Sequence, residues 1–220
     1  MVKIASITLA RGGSKGIPKK NMVLINGKPL VFYAVNNSLI SSIDETWVST
    51  DDEEIAKTCR DFGANVIMRP EEISKDTSKC EAALLHFAEH VEFDVLAFIQ
   101  ATSPLLEVEY LERGLQMMRE KRYDSVFSVQ KEHWIPRWSL ELVPLAWNPS
   151  QRPRRQMRPE TYLENGAFYL TTREQLLSSG VRYGGNRGVV EMPLSQSFQV
   201  DTEEDLDLIR YLARRKDDSR

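Results

Sequence analysis

Short runs of β-branched and aliphatic residues alternate along this chain with segments whose apolar residues recur at helical spacing, and that alternation leaves few folds open. The β-type runs fall at 3–9, 46–49, 65–68, 95–99, 125–129 and 165–170. Between them, helical spacing runs from Pro29 to about Ile40 and over 52–62, 78–91 and 108–121, with a shorter stretch at 173–178. In 78–91 the pattern is plain, because Leu84, Phe87, Ala88 and Val91 share one helical face. Parallel neighbours need a crossover, usually a helix, so the alternation argues for an α/β fold: a three-layer α/β/α sandwich on a mostly parallel sheet. Val95–Ile99 is the most apolar run and is expected at the sheet centre. Shorter strands are expected at 22–25, before a turn at Asn26-Gly27, and at 189–190 and 198–200. A last helix is expected over 203–214, started by Asp201-Thr202.

The first run empties into Leu9-Ala-Arg-Gly-Gly-Ser-Lys-Gly-Ile-Pro-Lys-Lys-Asn21. A loop at the carboxyl end of a first strand is where such sheets hold ligands. Here Gly12, Gly13 and Gly16 let backbone N–H groups turn toward an anion, Arg11, Lys15, Lys19 and Lys20 bring cationic side chains, and Asn21 adds an amide suited to a base or ribose. These features suit a nucleoside triphosphate. Neither the Walker spacing nor G-x-G-x-x-G is present, so no P-loop ATPase or nicotinamide enzyme follows.

A chain of 220 residues suits one domain, 1–220, with an elaborated insertion. The formal net charge of -3 disfavours non-specific nucleic-acid binding, which leans on a basic surface. Cys59 and Cys80 have no metal-like spacing, and Met1-Val-Lys-Ile4 leads straight into a strand without a signal-peptide pattern, so a reduced, cytoplasmic setting is expected. No apolar run is long enough to span a bilayer. From 130 to 164 the alternation stops, in a stretch carrying Trp134, Trp138, Trp147 and the basic run Arg152-Pro-Arg-Arg155. Such a segment is expected to cover a site or pack on another subunit. Trp134 and Trp138 suit stacking on a base or sugar, or burial at a dimer interface, and the interface is the preferred reading. His86 and His90 have chelating spacing without an evident third ligand, so no zinc site is expected.

Taken together, the glycine loop, Val48-Ser-Thr-Asp51, Ile99-Gln-Ala-Thr-Ser-Pro104, Tyr123-Asp-Ser-Val-Phe-Ser-Val129, Arg152-Pro-Arg-Arg-Gln156 and Glu164-Asn-Gly-Ala-Phe-Tyr169 resemble the CMP-sialic acid synthetases, the N-acylneuraminate cytidylyltransferases. The six blocks run collinearly over nearly the whole chain. The resemblance implies a Rossmann-like nucleotidyltransferase fold, a homodimer formed through the insertion, and Mg²⁺-dependent transfer of CMP from CTP to a nine-carbon 2-keto-3-deoxy sugar acid. Vertebrate members carry a second, phosphatase-like domain, for which this chain has no room, so the catalytic domain alone is expected.

By the same resemblance, Arg11 and Lys20 act on the reacting phosphates, and Leu9, Ala10, Gly12, Ser14, Lys15 and Asn21 bind the nucleotide. Arg69 and Ser78 match the cytosine pocket, Gln100 lies beside nucleotide and sugar, Arg152, Arg155 and Gln156 match the sugar-acid side, and Asp201 matches a metal carboxylate. The chemistry agrees, since phosphoryl transfer asks for charge neutralisation and positioning more than covalent catalysis. Several alternatives stand beside these assignments. The basic run 152–155 also reads as a nuclear-import address, and Asp201 as a cap of the last helix. Many members of the family have Asp-x-Asp where this chain has Gln199-Val200-Asp201, which puts a two-metal site in doubt. The sugar is equally open to a legionaminic, pseudaminic or deaminated neuraminic acid, because the glycine loop senses only CTP. A non-catalytic nucleotide sensor or RNA binder is the reading from another class, and net acidity argues against RNA.

Overall fold

The computed structural model describes residues 2–218 apart from Asp76, Lys121 and Trp134. The elements, in chain order, are β1 (Ile4–Leu9), β2 (Leu24–Ile25), β3 (Lys28–Pro29), α1 (Leu30–Leu39), β4 (Glu45–Thr50), α2 (Glu53–Asp61), β5 (Asn65–Met68), α3 (Cys80–His90), β6 (Val95–Ile99), α4 (Val108–Arg119), β7 (Ser125–Lys131), β8 (Arg137–Trp138), β9 (Pro144–Leu145), β10 (Tyr162–Thr172), α5 (Arg173–Ser179), β11 (Arg187–Glu191) and α6 (Glu203–Asp218). Seven strands make one sheet in the order β11-β7-β10-β6-β1-β4-β5. All neighbours are parallel except those of β10, which runs antiparallel to both β6 and β7. The expected three-layer, mostly parallel sandwich is therefore observed.

Pleat alternation divides the core. On one face Ile4, Ala97, Ile99, Phe168 and Leu170 meet Ala34 of α1 and Leu111 and Leu115 of α4. On the other, Ala5, Ile7, Leu96 and Phe98 meet Leu84 and Phe87 of α3 and Leu176 of α5. Because β6 is covered on both sides, all five of its residues are buried, and it occupies the middle of the sheet.

Local chemistry sets the ends of several elements. The Asp52 carboxylate accepts from Ile55 N at 3.0 Å and starts α2, and Thr172 does the same for α5 through Gln175 N. Gly180, at φ 69°, ends α5. At α6 a reciprocal pair forms: Thr202 Oγ1 accepts from Asp205 N, and Asp205 Oδ2 accepts from Thr202 N. Thr202 is thus the cap, and the Asp201 side chain is left for other work.

Two expectations are corrected. Residues 198–200 form no ladder; the segment is tied to the loop after β6 by Val200 N donating to Thr102 O, and Phe198 and Val200 pack on the α6 side. The strand expected at 165–170 extends over Tyr162–Thr172 and pairs with two neighbours at once, so long-range partners lengthen it beyond its apolar stretch. Within 130–164, β8 and β9 pair as a small hairpin that holds the indoles of Trp138 and Trp147 edge to face at 4.9 Å. Trp134 lies outside the described residues. No described helix is long and apolar enough to cross a membrane.

Candidate active site

The carboxyl ends of β1, β5 and β6 deliver their following residues to one cleft of about 430 Å³. Leu9, Arg11, Ser14, Lys15, Gly16, Lys20 and Asn21 line it from the first loop, Arg69 from the end of β5, Ser78 and Cys80 from the start of α3, and Gln100 and Thr102 from the end of β6. Lys75 and Lys79 line it as well, so Arg11, Lys15, Lys20, Arg69, Lys75 and Lys79 surround a space whose single lining carboxylate among the described residues is Asp201. Such a field favours a polyanion.

Within the glycine loop, Gly12 and Gly16 serve close approach. Gly12, Gly13 and Gly16 do not have positive φ; the left-handed residue is Lys19, at φ 49°. Gly12 is needed for close approach, since a Cβ there would stand 2.6 Å from Asp52 Oδ2, and its N–H already donates to Asp51 Oδ1 at 2.9 Å. Gly16 passes the Asp201 carbonyl so closely that a Cβ would stand 2.5 Å from it. Inside the loop, Ser14 Oγ donates to Ile17 O and accepts from Lys20 N, and Asn21 Nδ2 donates to Arg11 O at 2.9 Å. Ser14 and Asn21 therefore shape the loop while facing the cleft. Ala10 and Gly12 are not among the lining residues, and Ala10 is buried against α1 and α2.

Lys20 Nζ lies 3.0 Å from Asp201 Oδ1 and donates to Val200 O at 3.0 Å, which joins the first loop to the segment before α6. Arg69 is buried, yet its Nε and Nη2 find no hydrogen-bond partner among the described residues, and burial lowers the affinity of its guanidinium for the proton while Asp51 opposes that shift. Buried donors left unsatisfied at the wall of a cleft call for a further acceptor.

A second cavity of about 460 Å³ adjoins the first and shares Gln100 and Asp201 with it. Its other walls include Gln130, Glu164, Asn165, Tyr169, Ser197 and Gln199, a set of neutral amides and hydroxyls around one further carboxylate pair, Asp205 and Glu164. The Tyr169 hydroxyl donates to Glu164 Oε1, and burial pushes the phenol pKa up, which keeps that proton in place. Gly166, at φ 71°, leaves no room for a side chain because a Cβ would overlap the Gln199 amide. Gln199 Nε2 donates to the Asn165 carbonyl.

Arg152 and Gln156 are exposed and line neither cavity, with Arg152 5.9 Å from the Trp147 ring. Arg155 begins a short helical turn, and its side chain lies outside what is described. Lys75, Lys79, Phe98 and Tyr169 escaped the sequence reading as lining residues. The run Ser74-Lys75 and Ser78-Lys79 beside the expected Ser78 was the available signal, whereas Phe98 and Tyr169 looked like ordinary core. Among the described residues, no group of three or more His, Cys, Asp or Glu could hold a metal ion, and His86 and His90 stand as a pair alone.

The family model described as cytidylyltransferase matches residues 5–213. The chain belongs to the cytidylyltransferase family. It is 38% identical over 211 residues to N-acylneuraminate cytidylyltransferase A of Danio rerio, covering 92% of this chain and 49% of that protein. It is 28% identical to the pseudaminic acid cytidylyltransferase of Campylobacter jejuni, covering 96% of each. The chain thus spans about half the length of its fish relatives and almost all of the bacterial one. A solved CMP:2-keto-3-deoxy-manno-octonic acid synthetase, complexed with CTP, superposes with TM-score 0.71 at 22% identity, over 97% of this chain and 99% of that one, and shares the fold.

Proposed function

We propose that this chain transfers CMP from CTP to the anomeric hydroxyl of a sialic-acid-type sugar acid and releases pyrophosphate. The observation that carries this reading is the pairing of a cationic cleft with an amide- and hydroxyl-rich cavity, edged by Glu164 and Asp205, across Gln100 and Asp201. The first suits a triphosphate and the second a polyol, and their common wall is where an α-phosphate and an attacking hydroxyl would meet.

In this reading Arg11 and Lys20 stabilise charge that grows on the α-phosphate and the leaving pyrophosphate. Arg69 offers its unpaired N–H groups, and Ser78 its hydroxyl, to the base. The donor set fits one Mg²⁺: Asp201 gives an exposed carboxylate at the cleft edge, and such an ion takes its remaining oxygens from phosphates and water. Gln199 is turned to Asn165 and adds no second carboxylate. When bound, the ion would neutralise charge on the phosphates.

The arm 130–164 supports a homodimer. Ile135, Leu140, Leu142 and Val143 are exposed there, Leu140 at 98%, more apolar surface than a free hairpin would carry without cost. Since Arg152 and Gln156 line neither cavity of their own chain, the basic run would meet the sugar acid of a second copy. The test is pyrophosphate release with CTP, Mg²⁺ and a panel of sugar acids, wild type against Arg155→Ala. Arg155→Ala is expected to raise the sugar KM while CTP affinity stays near wild type; equal sugar kinetics would show that the run lies elsewhere. The end-to-end match to the Campylobacter jejuni relative favours a second reading, pseudaminic acid as acceptor, which the same panel decides.

A further inference from the structure

We propose that Arg182 is a positioning residue that holds the walls of the two cavities in register, an inference that rests on the cytidylyl-transfer reading above. Arg182 lies on the loop between α5 and β11 and lines neither cavity. Its Nε donates to Glu81 Oε1 at 2.9 Å, with the two side chains only 18% and 19% exposed. Its guanidinium lies 4.8 Å from the Tyr169 ring centroid and 5.5 Å from that of Phe98. Those two rings stack at 5.9 Å with 21° between planes.

Two of the three contacts are cavity-lining residues, and the third is next in sequence to one. Phe98 lines the cationic cleft, and Glu81 follows Cys80, which lines it from the first turn of α3. Tyr169 lines the second cavity and donates to Glu164, another of its walls. A single planar cation therefore joins the nucleotide side to the sugar side from behind. A guanidinium can donate in its plane while its face and edge meet aromatic rings; an ammonium offers no such plane.

The loop is built to present this one side chain. Gly184 exchanges two hydrogen bonds with Ser125 Oγ, at 2.9 and 3.0 Å, and Asn186 N donates to Asp124 Oδ2 at 2.7 Å. Gly185, at φ 55°, lies against the Asp124 carboxylate, where a side chain would collide. Tyr183 adds a ring 6.1 Å from that of Tyr169. With its path set at both ends, the loop fixes Arg182, and Arg182 fixes the relative placement of Glu81 and Tyr169.

In-line transfer depends on that placement, because a misplacement of about 1 Å costs on the order of a hundredfold in rate. The experiment uses the full chain with CTP, Mg²⁺ and the sugar acid that supports turnover in the wild type. It measures kcat, sugar KM, CTP affinity by calorimetry, and the melting temperature. Arg182→Met is expected to lower kcat by about tenfold or more and to raise the sugar KM, with CTP affinity within about twofold. Glu81→Gln keeps an oxygen that accepts from Nε and is expected to stay near wild type, whereas Glu81→Ala falls with Arg182→Met and the double variant falls no further. If Arg182→Met does not fold, the contrast between the two Glu81 variants decides the matter. A folded Arg182→Met or Glu81→Ala with wild-type kcat and sugar KM overturns the role of Arg182. A wild type that transfers CMP to no sugar acid overturns the reading on which it rests, and the two failures are told apart by the wild-type assay alone.

Discussion

Replacing Lys20 by Met separates what this lysine does for the fold from what it does for the reaction. Its ammonium lies 3.0 Å from Asp201 Oδ1, and the Asp201 side chain is 65% exposed. Solvent screens such a pair, so losing it costs about 1 kcal/mol at most. The Val200 carbonyl also loses its charged donor, about 1 kcal/mol more. Methionine keeps an apolar stem of similar reach, so packing changes little. For a domain of this size, about 2 kcal/mol lowers the melting temperature by roughly 4–8 °C. Turnover is expected to respond on another scale, because removing one preorganised donor from a developing oxyanion costs about 2.7–4 kcal/mol, on the order of 10²–10³ in kcat. The assay is pyrophosphate release at saturating CTP and sugar acid, well below the melting range, with melting followed in parallel. A Lys20→Met protein that stays folded and keeps kcat within about threefold of wild type would refute the assignment of this charge to the phosphates.

Three further outcomes follow from the same geometry. With UTP in place of CTP, kcat/KM is expected to fall by on the order of a hundredfold or more, since the donors and acceptors around a cytosine edge would be left unpaired; comparable efficiency with both nucleotides would move Arg69 and Ser78 away from the base. Cys80 is exposed at the cleft while burial pushes the Cys59 thiol up to about 12, so iodoacetamide near neutral pH should label Cys80 alone and CTP should slow it; labelling unaffected by CTP would place the nucleotide elsewhere. The Asp205 carboxyl is held below its ordinary 3.8, first by the Thr202 backbone N–H, so its stabilisation is complete above the unfolded value and is lost as pH falls through the lower folded one. Asp205→Asn should accordingly flatten the acid side of the stability curve while lowering stability at neutral pH by about 0.5–2 kcal/mol, and an unchanged acid limb in urea melts would contradict the capping role.

The set of elements and the class of the fold were legible in the chain's local pattern. Periods of two and 3.6 are local properties, so Val95–Ile99 could be read as a buried strand and 78–91 as a helix from neighbours a few residues away. The glycine loop was legible for the same reason, because its cations and glycines are contiguous. Tertiary structure decided what depends on residues far apart in the chain. Nothing local in 162–172 says that β10 runs antiparallel between β6 and β7, and nothing in 198–200 says that its backbone meets Thr102 instead of a strand. Spacing alone left Asp201 and Thr202 as rival caps; the reciprocal bonds of Thr202 and Asp205, and the reach of Lys20 across the chain to Asp201, separate them. Likewise Phe98 and Tyr169 read as core in the sequence, and only the tertiary structure puts Phe98 on the wall of the first cavity, Tyr169 on that of the second, and Arg182 against both rings. A periodic pattern records which face of an element is buried, while which surfaces meet is settled by the summed packing of all of them.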